Sequence, residues 1–159
     1  MNSTELDRRL ALLTEAGDFR ARAKRLIVKA FTECLGKSYQ PAFICGLRTV
    51  DKQLERFEKG RVLAGDNPLD YNHWVQIQWR LTITWTLPMD SPHCYGAAID
   101  LALVNRQTRE WLRKGHFAWN LLAKWVEAEG LVSGRRGSAH VELRNWRALA
   151  ENGVLSLIG

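Results

Sequence analysis

Asp100 is the residue whose setting most demands a chemical partner, because it interrupts the apolar run AAIDLALV at residues 97–104. An ionised carboxylate buried in such a run is costly unless a cation, a hydrogen-bond donor or a metal ion satisfies it. His93 stands seven positions upstream, in SPHCYGAAID at residues 91–100. An odd separation along one straight strand would set the two side chains on opposite faces, and Pro92 argues against a continuous helix. A turn at Tyr95-Gly96 would swing His93 back over the strand that carries Asp100, and the small residues Gly96, Ala97 and Ala98 permit so close an approach. His140, in SAHVEL at residues 138–143, enters a late strand. Two histidines and a carboxylate with a free fourth position make up the usual ligand set of a catalytic zinc, which lowers the pKa of a bound water and polarises a carbonyl. The same residue types also serve purely structural ends, the aspartate as an anchor for backbone N–H groups and the histidines as ordinary loop residues.

The elements that must position these groups read as α+β: a small antiparallel sheet packed with helices. Residues 3–35 are helical in pattern, with Ser3 or Thr4 as cap, Leu6, Leu10 and Leu13 at helical spacing, a break at Gly17-Asp18 and a stop at Gly36. PAFIC at residues 41–45 reads as a short buried strand, and residues 51–59 as a helix ended by Gly60. Residues 62–73 are loop by composition. Residues 74–86 alternate, with Val75, Ile77, Trp79, Leu81, Ile83 and Trp85 on one parity, which predicts a strand. The run around Asp100 predicts a central strand. Thr108 to Gly130 predicts a long helix with Trp111, Phe117, Leu121, Leu122 and Trp125 facing inward, followed by loop over 133–138, a strand at 140–143 and a terminal helix or strand. Core packing is the expectation for Trp79, Trp85, Trp111 and Trp125. His73 reads as a surface or edge residue, and His116 as a packed or solvated imidazole within the long helix.

With 159 residues, 46% hydrophobic and 25% charged, the chain fits one domain, 1–159, and lies outside the disordered and fibrous classes. Residues 1–36 are expected as a helical cover over the back of the sheet and 39–146 as the core. No apolar stretch approaches the roughly 20 residues that cross a bilayer, so no membrane insertion is expected, and the charges between Met1 and Arg9 leave no room for the apolar core of a secretory signal. Cys34, Cys45 and Cys94 cannot all pair and contain no CxxC, which points to a reducing compartment and a cytoplasmic site of synthesis. A net charge of +6 favours an anionic partner: nucleic acid, a membrane surface or an anionic cell wall. The basic residues come in short clusters such as Arg20 to Arg25 and Arg135-Arg136, with no basic tail and no nucleic-acid motif. A basic nucleic-acid-binding domain therefore ranks as a distant alternative and no nucleic-acid partner is expected.

SPHCYGAAID resembles the S-x-H-x-x-G-x-A-x-D signature of the zinc peptidases that cut bacterial peptidoglycan peptides, a group that includes D-Ala-D-Ala carboxypeptidases and phage L-alanyl-D-glutamate endolysins and shares its fold with the Hedgehog signalling domain. Ser91, His93, Gly96, Ala98 and Asp100 occupy the five fixed positions. Upstream, residues 46–61 are similar to the family's Gly-Arg-Gln segment, with Gly46, Arg48, Gln53, Gly60 and Arg61 in place, and His140-Val141-Glu142 is similar to its closing block. The resemblance spans about residues 39–146. It implies one Zn2+ held by His93, Asp100 and His140, with Arg48 positioning substrate and Ser91 orienting the His93 loop within the substrate site. Gln53 and Arg61 would be architectural. It further implies a Hedgehog/DD-peptidase-like fold and a monomeric enzyme, made in the cytoplasm and acting on peptidoglycan stem peptides after release to the wall, in the manner of a phage endolysin.

In one respect the chain departs from the family. The peptidases carry an acidic residue three positions before the last ligand, or a histidine two before it, as general base; here those positions hold Gly137 and Ser138, neither of which takes a proton near neutral pH. Glu142 shares strand parity with His140 and is the first candidate for that role, ahead of Asp90, Asp66 and Asp70, although the family uses this position to orient a ligand. The departure supports an alternative reading, a non-catalytic zinc-containing peptidoglycan-binding module.

Overall fold

A computed structural model describes residues 3–133 and 139–158. At its centre runs β4, Ala98–Asn105, the strand predicted around Asp100. β1 (Tyr39–Cys45) pairs along one edge of β4 and β6 (His140–Leu143) along the other, with β5 (Leu131–Ser133) outside β6. All pairings are antiparallel, in the order β1-β4-β6-β5. With helices packed on this sheet, the chain has the α+β architecture expected.

Strand alternation divides the labour between the two faces. Ile99, Leu101 and Leu103 of β4 and Val141 and Leu143 of β6 point into the main core. There they meet Leu6 and Leu10 of α1 (Ser3–Leu10), Phe19, Leu26 and Ile27 of α2 (Phe19–Glu33) and Trp119, Leu122 and Val126 of α4 (Ala118–Ala128). The N-terminal helices thus lie behind the sheet. Each fully buried side chain of this size contributes about 1.5–3 kcal/mol, so most of the stability lies on this face, while the opposite one sets Asp100 between the small buried residues Ala98 and Ala102, with a minor cluster of Ala102, Val104 and Ala139 beyond. α1 and α2 are separated at Gly17-Asp18, where both residues have positive φ (56° and 55°). On the far side of β1, α3 (Val50–Glu58) is capped by Thr49, whose hydroxyl accepts the Lys52 N–H at 3.3 Å, and α5 (Trp146–Glu151) follows β6.

Several expectations are corrected. The alternating stretch at 74–86 is a strand only over β3 (Trp74–Gln76), which pairs with β2 (Arg61–Leu63) inside the expected loop. Beyond Gln76 the N–H groups of Ile77 and Gln78 both turn onto the Gly60 carbonyl, each at 2.9 Å, which ends the ladder. Without a layer to cover it, the apolar parity faces solvent: Trp79 and Trp85 are exposed and pack on each other at 5.1 Å, rather than in a core. The helix expected from Thr108 is confined to α4, because the preceding segment pairs with β4 instead. Leu112 donates to the Leu103 carbonyl at 2.9 Å and the Glu110 carbonyl accepts from Asn105 at 2.8 Å. Trp111 and Phe117 consequently point outward, while Leu122 is buried and Leu121 and Trp125 are partly so. His116 lies ahead of α4, where its Nδ1 accepts the Ala118 N–H at 3.2 Å. Directly after the expected stop at Gly130, Leu131–Ser133 form β5, a strand to which the sequence assigned no element before the loop expected from Ser133.

The His93 loop depends on one backbone conformation. Residues 92–95 make a single tight turn that Gly96 ends with φ +64°, and a Cβ there would stand 3.1 Å from both the Leu12 carbonyl oxygen and the Thr14 nitrogen. Gly96→Ala is therefore expected to destabilise the fold by about 1–3 kcal/mol. Gly36→Ala, also at positive φ but with open space around it, should cost less. Urea unfolding of the two variants measures the difference, and equal losses would remove the close-approach explanation.

Candidate metal centre

β4 supplies Asp100 and β6 supplies His140 directly opposite it, so register alone sets the two side chains on one face. His93 arrives from the turn above. Its loop is tied down by backbone hydrogen bonds from Arg48 N–H to the His93 carbonyl (3.2 Å) and from Ala97 N–H to the Pro92 carbonyl (2.9 Å). The C-terminal segment adds Ile158 N–H to the Cys94 carbonyl at 2.9 Å. The turn at Gly96 overcomes the odd spacing between His93 and Asp100.

The three side chains converge. His93 Nε2 lies 3.1 Å from His140 Nδ1, and each of these nitrogens lies 3.3 Å from Asp100 Oδ1. Donors about 2.0–2.1 Å from a shared tetrahedral ion stand about 3.4 Å apart, so the triangle has the dimensions that a metal ion requires.

The outer atoms of all three groups are engaged. His93 Nδ1–H donates to the Gly46 carbonyl at 2.7 Å, and His140 Nε2–H donates to Glu142 Oε2 at 2.9 Å. Asp100 Oδ2 accepts from Arg48 Nη2 at 3.4 Å. These partners leave the inner nitrogens, when both imidazoles are neutral, with lone pairs that face Asp100 Oδ1, whereas protonated His140 donates from Nδ1 instead. In the neutral form three acceptors face one another across about 3 Å, which a proton on His140 or a metal ion relieves. Burial alone would raise the Asp100 pKa, yet the bonds from His140 and His93 hold that carboxyl well below the usual carboxylate range. Burial likewise opposes charge on His140, but its bonds to Asp100 and Glu142 push it up to about 9. The site favours positive charge, and the cluster could hold a metal ion.

The centre lies in a cleft of about 550 Å³ that is also lined by Arg48, Gln53, Ser91 and Glu142. Arg48 is buried and its guanidinium spans from Asp100 to Gln53 Oε1 (2.6 Å). Gln53, also buried, donates to the Thr86 carbonyl at 2.6 Å, which links α3 to the segment before the His93 loop. Ser91 is buried and its hydroxyl interacts with the Cys94 thiol, whose pKa burial pushes up to about 11. Arg61 lies away from the cleft, over the Phe57 ring at 4.0 Å, with its guanidinium on the Phe57 and Thr84 carbonyls. Of the other carboxylates considered, Asp90 lines the cleft paired with Arg147 at 2.7 Å. Asp66 is outside it, paired with His73, and Asp70 accepts the Asn72 N–H in a local turn. Gly137 and Ser138 lie outside the described residues.

Sequence reasoning passed over two features. Cys45, opposite Asp100 on β1, brings a sulfur into the centre: donor atoms of Cys45, His93 and Asp100 all lie within 4.8 Å of one another and could hold a metal ion. Its signal was adjacency to Gly46, the first residue of the Gly-Arg-Gln block. The Asp90–Arg147 pair joins residues far apart in sequence and had no local signal.

If Glu142 orients His140 for a metal ion, Glu142→Ala is expected to weaken divalent-metal binding about 10–100-fold. Competition titration with a chromophoric chelator reads this directly, and unchanged affinity would show that the contact does not support the centre.

No protein-family model matches this chain and no curated protein does, so a functional reading rests on the side chains themselves.

Proposed function

We propose that the chain is a zinc metallopeptidase of the Hedgehog/DD-peptidase type that hydrolyses peptide bonds in peptidoglycan stem peptides, either L-Ala–D-Glu or D-Ala bonds. The observation that carries this reading is the convergence of His93 Nε2, Asp100 Oδ1 and His140 Nδ1 within 3.3 Å in a cleft. It is supported by the three sequence blocks that resemble this peptidase group. Two imidazoles and one carboxylate suit zinc, whereas Mg2+ and Ca2+ favour oxygen donors throughout.

When bound, the ion supplies Lewis-acid polarisation of the scissile carbonyl and of the attacking water. The residues of the chain do the rest. Glu142 and the Gly46 carbonyl hold the two imidazoles in the tautomer that presents a lone pair inward. Arg48 holds the outer oxygen of Asp100 so that the other faces the centre, and it lines the cleft where a substrate carbonyl or carboxylate would rest. Arg56 and Arg147 on the same wall add positive potential that suits a stem peptide bearing free carboxylates. Glu142 is the carboxylate placed to move a proton at the centre. The overall charge of +6 suits an anionic wall, in keeping with a monomeric endolysin made in the cytoplasm and released to its substrate.

A second reading, the non-catalytic zinc-containing module, is favoured by two observations. Gly137 and Ser138 replace the usual base, and Glu142 is already hydrogen-bonded to His140. Purified peptidoglycan incubated with zinc-loaded protein separates the two. Mass spectrometry of the muropeptides is expected to show one newly cleaved stem bond, absent with His93→Ala. Intact muropeptides alongside a stoichiometric zinc would reject the peptidase in favour of the module.

A further inference from the structure

Cys45 reaches the centre through an irregularity of β1. Phe43 pairs with Leu101 on the core face, and regular alternation would next set Ile44 opposite Asp100. The register instead shifts between Phe43 and Cys45, so that Ile44 turns to solvent and Cys45 takes the place opposite Asp100. Bulges of this kind re-aim a side chain beside a functional site; here the exchange replaces an isoleucine with a sulfur on the face that carries Asp100 and His140.

The sulfur has no strong competing partner among the described residues. Its contacts to the Gly46 and Leu47 carbonyls are long, at 3.7 Å each, and Arg48 Nη2 approaches at 3.8 Å. It is half-buried and forms no disulfide. Cys45, Asp100 and His140 form one row across three adjacent strands, with His93 above them.

We propose that Cys45 is a fourth donor to the metal, so that the centre is closed by two histidines, an aspartate and a cysteine. The proposal takes from the peptidase reading only that the centre binds metal. Ligation forms a sulfur–metal bond and releases the S–H proton to solvent; no oxidant is involved. Thiolate with imidazole selects zinc or cobalt over the hard alkaline-earth ions, and full occupation by protein donors is the mark of a closed site.

Cobalt reports the sulfur directly. Protein loaded with one equivalent of Co2+ is expected to show thiolate-to-cobalt charge-transfer absorption in the near ultraviolet. Cys45→Ser should lose that band while retaining cobalt, and His93→Ala should lose the metal. Iodoacetamide labelling followed by peptide mass spectrometry gives a second reading on the unmodified chain, with buried Cys34 and Cys94 as internal references. Zinc is expected to slow labelling of Cys45 about 10-fold or more, since ligated sulfur is withdrawn from alkylation. Cobalt bound without the band, or Cys45 labelling unaffected by bound zinc, overturns the proposal. A sulfur signature without muropeptide cleavage supports it and rejects the peptidase reading alone; failure to bind any metal rejects both.

Discussion

His93 Nε2, His140 Nδ1 and Asp100 Oδ1 are held within 3.3 Å of one another, so close that lone pairs on both neutral imidazoles would repel the carboxylate, and a proton or a metal ion between them turns that repulsion into attraction. Each surrounding contact keeps the three groups in this arrangement. The Gly46 carbonyl and Glu142 occupy the outer nitrogens, and Arg48 occupies the outer carboxylate oxygen, so none of the three groups can relax by turning outward. The backbone serves the same end, since the β4–β6 register sets His140 opposite Asp100 and the turn closed by Gly96 returns His93 above them.

The sheet can support this polar arrangement because its other face does the stabilising. Ile99, Leu101 and Leu103 are fully buried against α2 and α4, which frees Asp100, between Ile99 and Leu101 in the same strand, to serve chemistry. A carboxylate in such a strand is a liability unless answered; here its neighbours on that face, Ala98 and Ala102, are small, and the donors of His93, His140 and Arg48 take the place of packing at that point. The Arg48–Gln53–Thr86 chain then carries the polar network sideways, joining the turn after β1, helix α3 and the wall of the cleft into one hydrogen-bonded unit. Displacing α3 would disturb the Asp100 carboxylate through two hydrogen bonds without touching the histidines.

Where chemistry and local sequence coincide, the sequence is informative. Asp100 was legible because a charge in an apolar run must be answered, and the return of His93 was legible because Pro92 and Gly96 bracket a turn. His140 was legible as a histidine entering a late strand, strengthened by the closing block of the resemblance, and Glu142 from the parity it shares with His140. The failures share a different cause. Residues 74–86 have the alternation of a buried strand, but alternation describes a face and not the layer that covers it; with the ladder ended at Gly60, that face meets water. Residues 108–117 have helical periodicity, but the edge of β4 competes for their backbone groups and wins. Cys45 could not be placed because a one-residue bulge inverts the inward and outward assignments of every residue beyond it.

That inversion bears on what kind of centre this is. A catalytic ion needs a corner open to substrate and a carboxylate or imidazole free to move a proton. In the proposed centre His93, Asp100 and His140 leave a corner, and Cys45, opposite Asp100 on β1 with its sulfur within 4.8 Å of donor atoms of His93 and Asp100, is the donor proposed to fill it. Of the carboxylates at the cleft, Asp90 is bound to Arg147 and Glu142 to His140. Under the proposed peptidase reading, activity would therefore turn on two side-chain motions, rotation of Cys45 off the centre and release or sharing of the Glu142 carboxylate, neither of which needs the sheet to move.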